Sequence, residues 1–154
     1  MAVPFSRSLL VSLTAFVLAG AGVACSDTTA PSIEKTEFAT SLGVDLAAST
    51  KTPSGLYYRD ILVGTGATAA KGDTATLQYS LYNVNGSRLE TASFSFTLGA
   101  PGVIAGFDEG VTGMKVGGQR QLIIPPHLGY GNQWQGNIPP NSILVFDVQL
   151  QSLK

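Results

Sequence analysis

One histidine and one cysteine limit the chemistry open to this chain. Cys25 can form no disulfide within the chain, and with His127 as the sole histidine no Cys/His set exists to close a structural zinc site. A Ser-His-Asp or Cys-His hydrolase would have to be built on His127, yet Pro125-Pro126-His127-Leu128 supplies neither a nucleophile elbow nor an orienting carboxylate. His127 therefore reads as a loop residue, and the acidic pair Asp108-Glu109 as a solvated helix face. A formal net charge of -1 over 154 residues excludes a large basic surface and gives no electrostatic reason to expect nucleic acid. No motif calls for a cofactor or a metal.

The elements that must position any site lie in the C-terminal two thirds. Five runs rich in branched and aromatic residues, 56–64, 74–83, 88–98, 119–124 and 143–153, are separated by Gly, Asn and Pro and predict strands. Asn83-Val84-Asn85-Gly86 signals a hairpin, since Asn-Gly tolerates the positive φ of a tight turn. Between the third and fourth runs, Ile104, Phe107 and Val111 fall on one helical face. Strands, one helix and further strands give an α+β arrangement, not a βαβ repeat.

The N-terminal part has a different texture. Residues 1–25 run from Arg7 through an uncharged apolar stretch that is too short for a comfortable permanent span, which is a signal-peptide pattern. Two processing readings stand. Ala21-Gly22-Val23-Ala24-Cys25 resembles a bacterial lipoprotein lipobox, with the sole cysteine where lipid would be attached, whereas Ala19-Gly20-Ala21 and Gly22-Val23-Ala24 also suit ordinary signal peptidase. The lipobox reading is favoured by the polar tract that follows Cys25, despite Gly22 where a larger aliphatic residue is usual. It places the protein outside the cytoplasm, in the periplasm or cell envelope and membrane-anchored at Cys25. Residues 26–53, dominated by Ser, Thr, Ala and Asp, are expected to be a flexible linker with one modest helical candidate at 38–48, leaving 54–154 as the domain.

Within that domain, the run from Val103-Ile104-Ala105-Gly106-Phe107-Asp108-Glu109-Gly110-Val111 to Gly117-Gly118 closely resembles the central motif of FKBP-type peptidyl-prolyl cis/trans isomerases. The resemblance extends upstream through Tyr79, Gly86 and Phe94-Ser95-Phe96-Thr97-Leu98-Gly99. Downstream it continues through Ile123-Ile124-Pro125, Leu128-Gly129-Tyr130-Gly131, Ile138-Pro139-Pro140 and Leu144-Val145-Phe146-Asp147. It implies an antiparallel half-barrel sheet wrapped around one short helix, with an apolar pocket between them that receives a prolyl ring. It further implies that Tyr79, Phe94, Val103, Ile104, Tyr130, Ile138 and Phe146 wall the pocket, that Phe107 is its floor, and that Tyr130 and the Ile104 main-chain N–H donate to substrate carbonyls. Phe96 is expected in the core. Trp134 is expected at the pocket rim.

The chain departs from the family pattern at three places. Phe107 stands where Trp is common, so the floor lacks an indole N–H. Leu89-Glu90 stands where the family carries Phe-Asp, which removes one aromatic wall and lengthens the carboxylate arm. Glu90 is kept as a site residue that either reaches Tyr79 or points to solvent.

Rotation about an Xaa-Pro bond must cross an amide-resonance barrier of about 18 to 20 kcal/mol, and no bond is broken. A dry pocket with one or two directed donors suits that chemistry without acid, base or metal. The resemblance thus implies an exported isomerase acting on proline-containing polypeptide clients and able to bind macrolide inhibitors. Two other readings compete: a peptide-binding chaperone or adaptor of the same fold with weak turnover, and a surface module that binds glycan or protein through Trp134.

Overall fold

The computed structural model describes residues 30–154, so Cys25 and the expected export signal lie outside the described residues. Six strands form one antiparallel sheet: β1 Thr50–Lys51, β2 Tyr57–Leu62, β3 Thr74–Asn83, β4 Arg88–Thr97, β5 Gln119–Ile124 and β6 Leu144–Leu153. Their order across the sheet is β1-β2-β5-β6-β3-β4, and the long crossovers place the chain's final strand at the centre. The helix α1, Ala105–Val111, lies between β4 and β5 in sequence. All five expected strands are present, and β1 is an addition too short to leave a periodic signal. The β3–β4 hairpin forms where Asn-Gly predicted it. Only Gly86 takes a positive φ there, and the Asn85 side chain accepts from the Ser87 N–H at 2.9 Å.

Strand alternation sorts the side chains onto two faces. The inner face carries Leu77, Tyr79 and Leu81 of β3, Phe146, Val148 and Leu150 of β6, and Leu122 and Ile124 of β5, with Leu122 opposite Phe146 and Leu81 opposite Phe146 on the other side. The helix sits on this face against β5. Two glycines permit the approach. A Cβ at Gly106 would lie 2.5 Å from Ile124, and one at Gly110 would lie 2.6 Å from both Leu122 methyls. Phe107 and Val111 then enter the main core.

Arg120 ties the end of this helix to the sheet. Although on the inner face and almost fully buried, it makes a two-point pair with Asp60 at 2.7 and 3.0 Å. Its remaining amino group donates to the carbonyls of Gly110 and Thr112 at 3.0 and 3.3 Å, and its guanidinium lies 4.4 Å over the Tyr58 ring. A cation is well placed at the carbonyl end of a helix.

The outer face is layered in rows that follow the register. Tyr57, Ile123, Val145 and Tyr82 form one row, and Arg59, Gln121, Asp147, Ser80 and Thr91 the next. The apolar row is covered by residues 30–53, which corrects the expectation of a flexible linker. Ile33 and Leu42 are buried, and Phe38, Val44 and Leu46 pack against Tyr57, Ile123 and Ile143. Glu34 accepts from the Tyr57 hydroxyl at 2.6 Å and pairs with Lys51. The helical candidate at 38–48 is realised only as a single 3-10 turn, Thr40–Leu42, closed by Gly43 in the left-handed region. The segment docks through scattered apolar residues, so helical periodicity was the wrong signal to seek in it.

Candidate active site

Six elements or loops converge on one cavity of about 530 Å3 on the inner face. From β3 comes Tyr79; from β4, Glu90, Ala92 and Phe94; from the loop into the helix, Gly102, Val103 and Ile104; from the helix, Phe107. Tyr130, Gln135 and the β6 residue Phe146 complete it. Eight of the nine residues expected from sequence therefore surround a single space. The ninth, Ile138, is buried in the core and does not line the cavity. Its backbone pairs with Gln135, holding the loop that brings Gln135 to the wall.

The base of the cavity is an aromatic cluster. Phe107, almost fully buried, meets Phe146 edge-on at 5.1 Å between centroids, Tyr79 at 5.8 Å, Phe96 at 5.8 Å and Phe94 at 5.9 Å. Tyr79 in turn contacts Phe94 and Phe146, each at 5.6 Å. Such edge-to-face packing fixes ring orientations beyond what burial alone gives. Phe96 stacks behind Phe94 at 5.5 Å and packs against the core, as expected.

Glu90 reaches the cavity by strand alternation, on the same face of β4 as Ala92 and Phe94, and the bulge beside it turns Leu89 inward as well. Leu81 pairs with Glu90 but Tyr82 pairs with Arg88, leaving Leu89 as the extra residue of β4. Leu89 packs against the inner core while Glu90, exposed, lines the cavity rim. The carboxylate acts on two phenols. Burial first, and the neighbouring Glu90 second, push the Tyr79 hydroxyl from its ordinary value of 10.0 up to about 12. Burial and Glu90 raise Tyr130 as well. Both phenols are thus held as neutral donors at physiological pH.

The second donor is main chain. Ile104 caps the helix in an extended conformation, and its carbonyl accepts from the N–H groups of Phe107 and Asp108 at 3.0 and 3.2 Å. Its own N–H has no partner among the described residues. The loop that presents it is held by Asp108, whose Oδ1 accepts from the Gly99 N–H at 2.7 Å. This corrects the solvated-face reading of Asp108-Glu109. Glu109 is also engaged, accepting from the Ser54 hydroxyl at 2.9 and 2.8 Å.

Sequence reasoning missed Ala92, Gly102 and Gln135 as wall residues. Ala92 was readable, since it lies between Glu90 and Phe94 at the strand period of two. Gly102, at φ 141°, and Gln135, in a short loop pairing, carry no periodic signal. Trp134 was expected at the rim; it is 68% exposed and is not a wall residue.

The domain that carries this cavity is similar to known proteins. Residues 66–151 match the family model described as FKBP-type peptidyl-prolyl cis-trans isomerase. The chain is 45% identical over 111 residues to FK506-binding protein 4 of Neurospora crassa, and 46% identical over 104 residues to FK506-binding protein 3 of Candida albicans. These alignments cover 70% and 65% of this chain but 24% of each relative, so the chain spans about a quarter of the length of those proteins. Among solved structures, FkpA from Escherichia coli is similar at a TM-score of 0.64 and 36% identity, over 70% of this chain and 52% of that one. AtFKBP13 is similar at a TM-score of 0.64 and 32% identity, over 69% of this chain and 98% of that one. The chain belongs to the FKBP-type peptidyl-prolyl cis-trans isomerase family, and its described part carries that family's domain.

Proposed function

We propose that this domain accelerates rotation about Xaa-Pro bonds in polypeptides, without covalent chemistry, in the cavity over Phe107. The observation that carries the reading is the pairing of an aromatic floor with two donors at its mouth, the Ile104 N–H and the neutral Tyr130 hydroxyl. A prolyl ring seated among Tyr79, Phe94, Phe107 and Phe146 leaves water, and the twisting amide is stabilised by donors already in place. Val103 and Ile104 close the helix side of the ring. The test is a protease-coupled assay of the full chain on Xaa-Pro peptides, with and without FK506, the ligand for which the fungal relatives are named. Acceleration abolished by FK506 supports the reading, and no acceleration on any Xaa-Pro peptide overturns it.

A second reading, a peptide-binding chaperone of the same fold with weak turnover, is favoured by Leu89-Glu90 and by Phe107. It predicts peptide binding with little rate effect, and a gain of rate in the double variant Leu89→Phe, Glu90→Asp.

The setting is also proposed. The apolar stretch before Cys25 and the lipobox-like Ala21-Gly22-Val23-Ala24-Cys25 support an exported lipoprotein of the cell envelope whose clients are exported proteins. Metabolic labelling with a fatty acid tests it: label lost on Cys25→Ala supports lipid attachment, and an unlabelled wild-type chain refutes it.

A further inference from the structure

A polypeptide seated over Phe107 meets a wall with a single formal charge. Of the residues that line the cavity only Glu90 is ionic; the others are aromatic, aliphatic, glycine or the neutral Gln135. Glu90 is exposed at the rim, and among the described residues it makes no ion pair. The cations on either side of it in sequence are turned elsewhere. Arg88, two residues away, pairs in register with Tyr82 of the outer-face row and does not line the cavity. Lys71 lies against Gly99, past the other end of β4, and is not a wall residue either. The helix carboxylates are also withdrawn, since Asp108 accepts from the Gly99 N–H and Glu109 from the Ser54 hydroxyl. Nothing on the wall offsets the charge of Glu90.

Its neighbours favour a cation further. Glu90 stands near the Tyr79 and Tyr130 hydroxyls and acts on both, so the rim holds a carboxylate beside two phenol oxygens, with the Tyr79 and Phe94 rings below. An ammonium or guanidinium has only donors to offer, and this group of oxygens accepts them. The aromatic rings add attraction for a cation that passes over their faces. An acidic side chain in the same place meets a like charge instead.

We infer that Glu90 is a specificity-determining residue: the cavity selects Xaa-Pro segments with Lys or Arg directly beside the proline and disfavours those with Asp or Glu there. The inference rests on the isomerase reading and adds a substrate class to it. The prolyl ring itself is received by the aromatic floor whatever its neighbours, so the charge acts on the flanking residue alone. At an exposed rim such a pair corresponds to a preference of about two- to fivefold, and salt weakens it.

The test is NMR exchange spectroscopy with the full chain on paired peptides in which charge is the main difference: lysine against acetyl-lysine, and glutamate against glutamine, placed directly before or directly after the proline. At one or both positions, kcat/KM is expected to be about two- to fivefold higher for lysine than for acetyl-lysine, and lower for glutamate than for glutamine by a similar factor. Both ratios are expected to approach one in about 0.5 M salt and in Glu90→Gln, and to invert in Glu90→Lys. Each ratio is taken within one variant, so a change in overall rate does not disturb it. Equal rates within both pairs at both positions overturn the inference while the isomerase reading stands, and so does a preference that survives Glu90→Gln. Absence of catalysed exchange on every peptide overturns the isomerase reading and this inference with it. Wild-type ratios and their salt dependence decide the matter even where a variant fails to fold, because no other charge lines the cavity.

Discussion

Tyr79 shows how one side chain serves both packing and the cavity. Its ring braces Phe94, Phe107 and Phe146, while its hydroxyl is held protonated, first by burial and then by the Glu90 carboxylate, with a midpoint near 12 against an ordinary 10.0. The folded state thus binds this proton more tightly than the unfolded chain does, so the contribution is fully present below pH 10 and is lost as pH rises from 10 to 12. Glu90→Gln is expected to lower the Tyr79 midpoint while leaving it above 10, because burial is the larger cause. A 13C titration of the Tyr79 ring measures this. A wild-type midpoint at 10 or below would contradict the geometry. At this scale the sequence was informative where residue type follows from strand alternation, as for Tyr79, Phe94 and Phe146. It left open whether Glu90 reaches Tyr79, although alternation from Phe94 through Ala92 puts Glu90 on the cavity face; what no residue pattern announces is the bulge that turns Leu89 inward beside it.

The helix depends on absent side chains as much as on present ones. Gly106 and Gly110 set α1 down on Ile124 and Leu122, which places Phe107 under the cavity and the Ile104 N–H at its edge. Gly110→Ala puts a methyl 2.6 Å from Leu122 and is expected to cost about 1 to 3 kcal/mol in urea unfolding, with a loss of activity larger than global unfolding explains. The helix end has its own fastening in Arg120. Asp60→Ala removes both charge-assisted bonds to a nearly buried guanidinium and is expected to cost about 2 kcal/mol, somewhat relieved because the Asp60 side chain is 35% exposed. A change under about 0.5 kcal/mol would mean that the Gly110 and Thr112 carbonyls suffice. The Ile104, Phe107, Val111 periodicity made the helix readable. The Arg120–Asp60 pair was not readable, because its partners are 60 residues apart and an Arg in a strand ordinarily points to solvent.

In the whole molecule, a sheet with a functional inner face also has an apolar row on its outer face, and residues 30–53 cover it. Removing residues 30–49 uncovers Tyr57, Ile123 and Ile143 and loses the burial of Ile33 and Leu42. At roughly 1.5 to 3 kcal/mol for each fully buried aliphatic side chain, the truncated chain is expected to be about 3 kcal/mol or more less stable by urea unfolding, while still isomerising at low temperature. The composition of this segment suggested a linker, yet the strands gave a signal. Leu122-Ile123-Ile124 and Ile143-Leu144-Val145-Phe146 are continuous apolar runs, which mark strands buried on both faces and so require a cover on each. The central claim is that catalysis resides in the Phe107 cavity and uses its two donors. NMR exchange spectroscopy on an Xaa-Pro peptide with catalytic amounts of the chain tests it most directly. Wild type is expected to speed cis/trans exchange, Tyr130→Phe to slow it about fivefold with stability retained, and Phe146→Ala to abolish it; exchange in both variants equal to wild type would contradict the account.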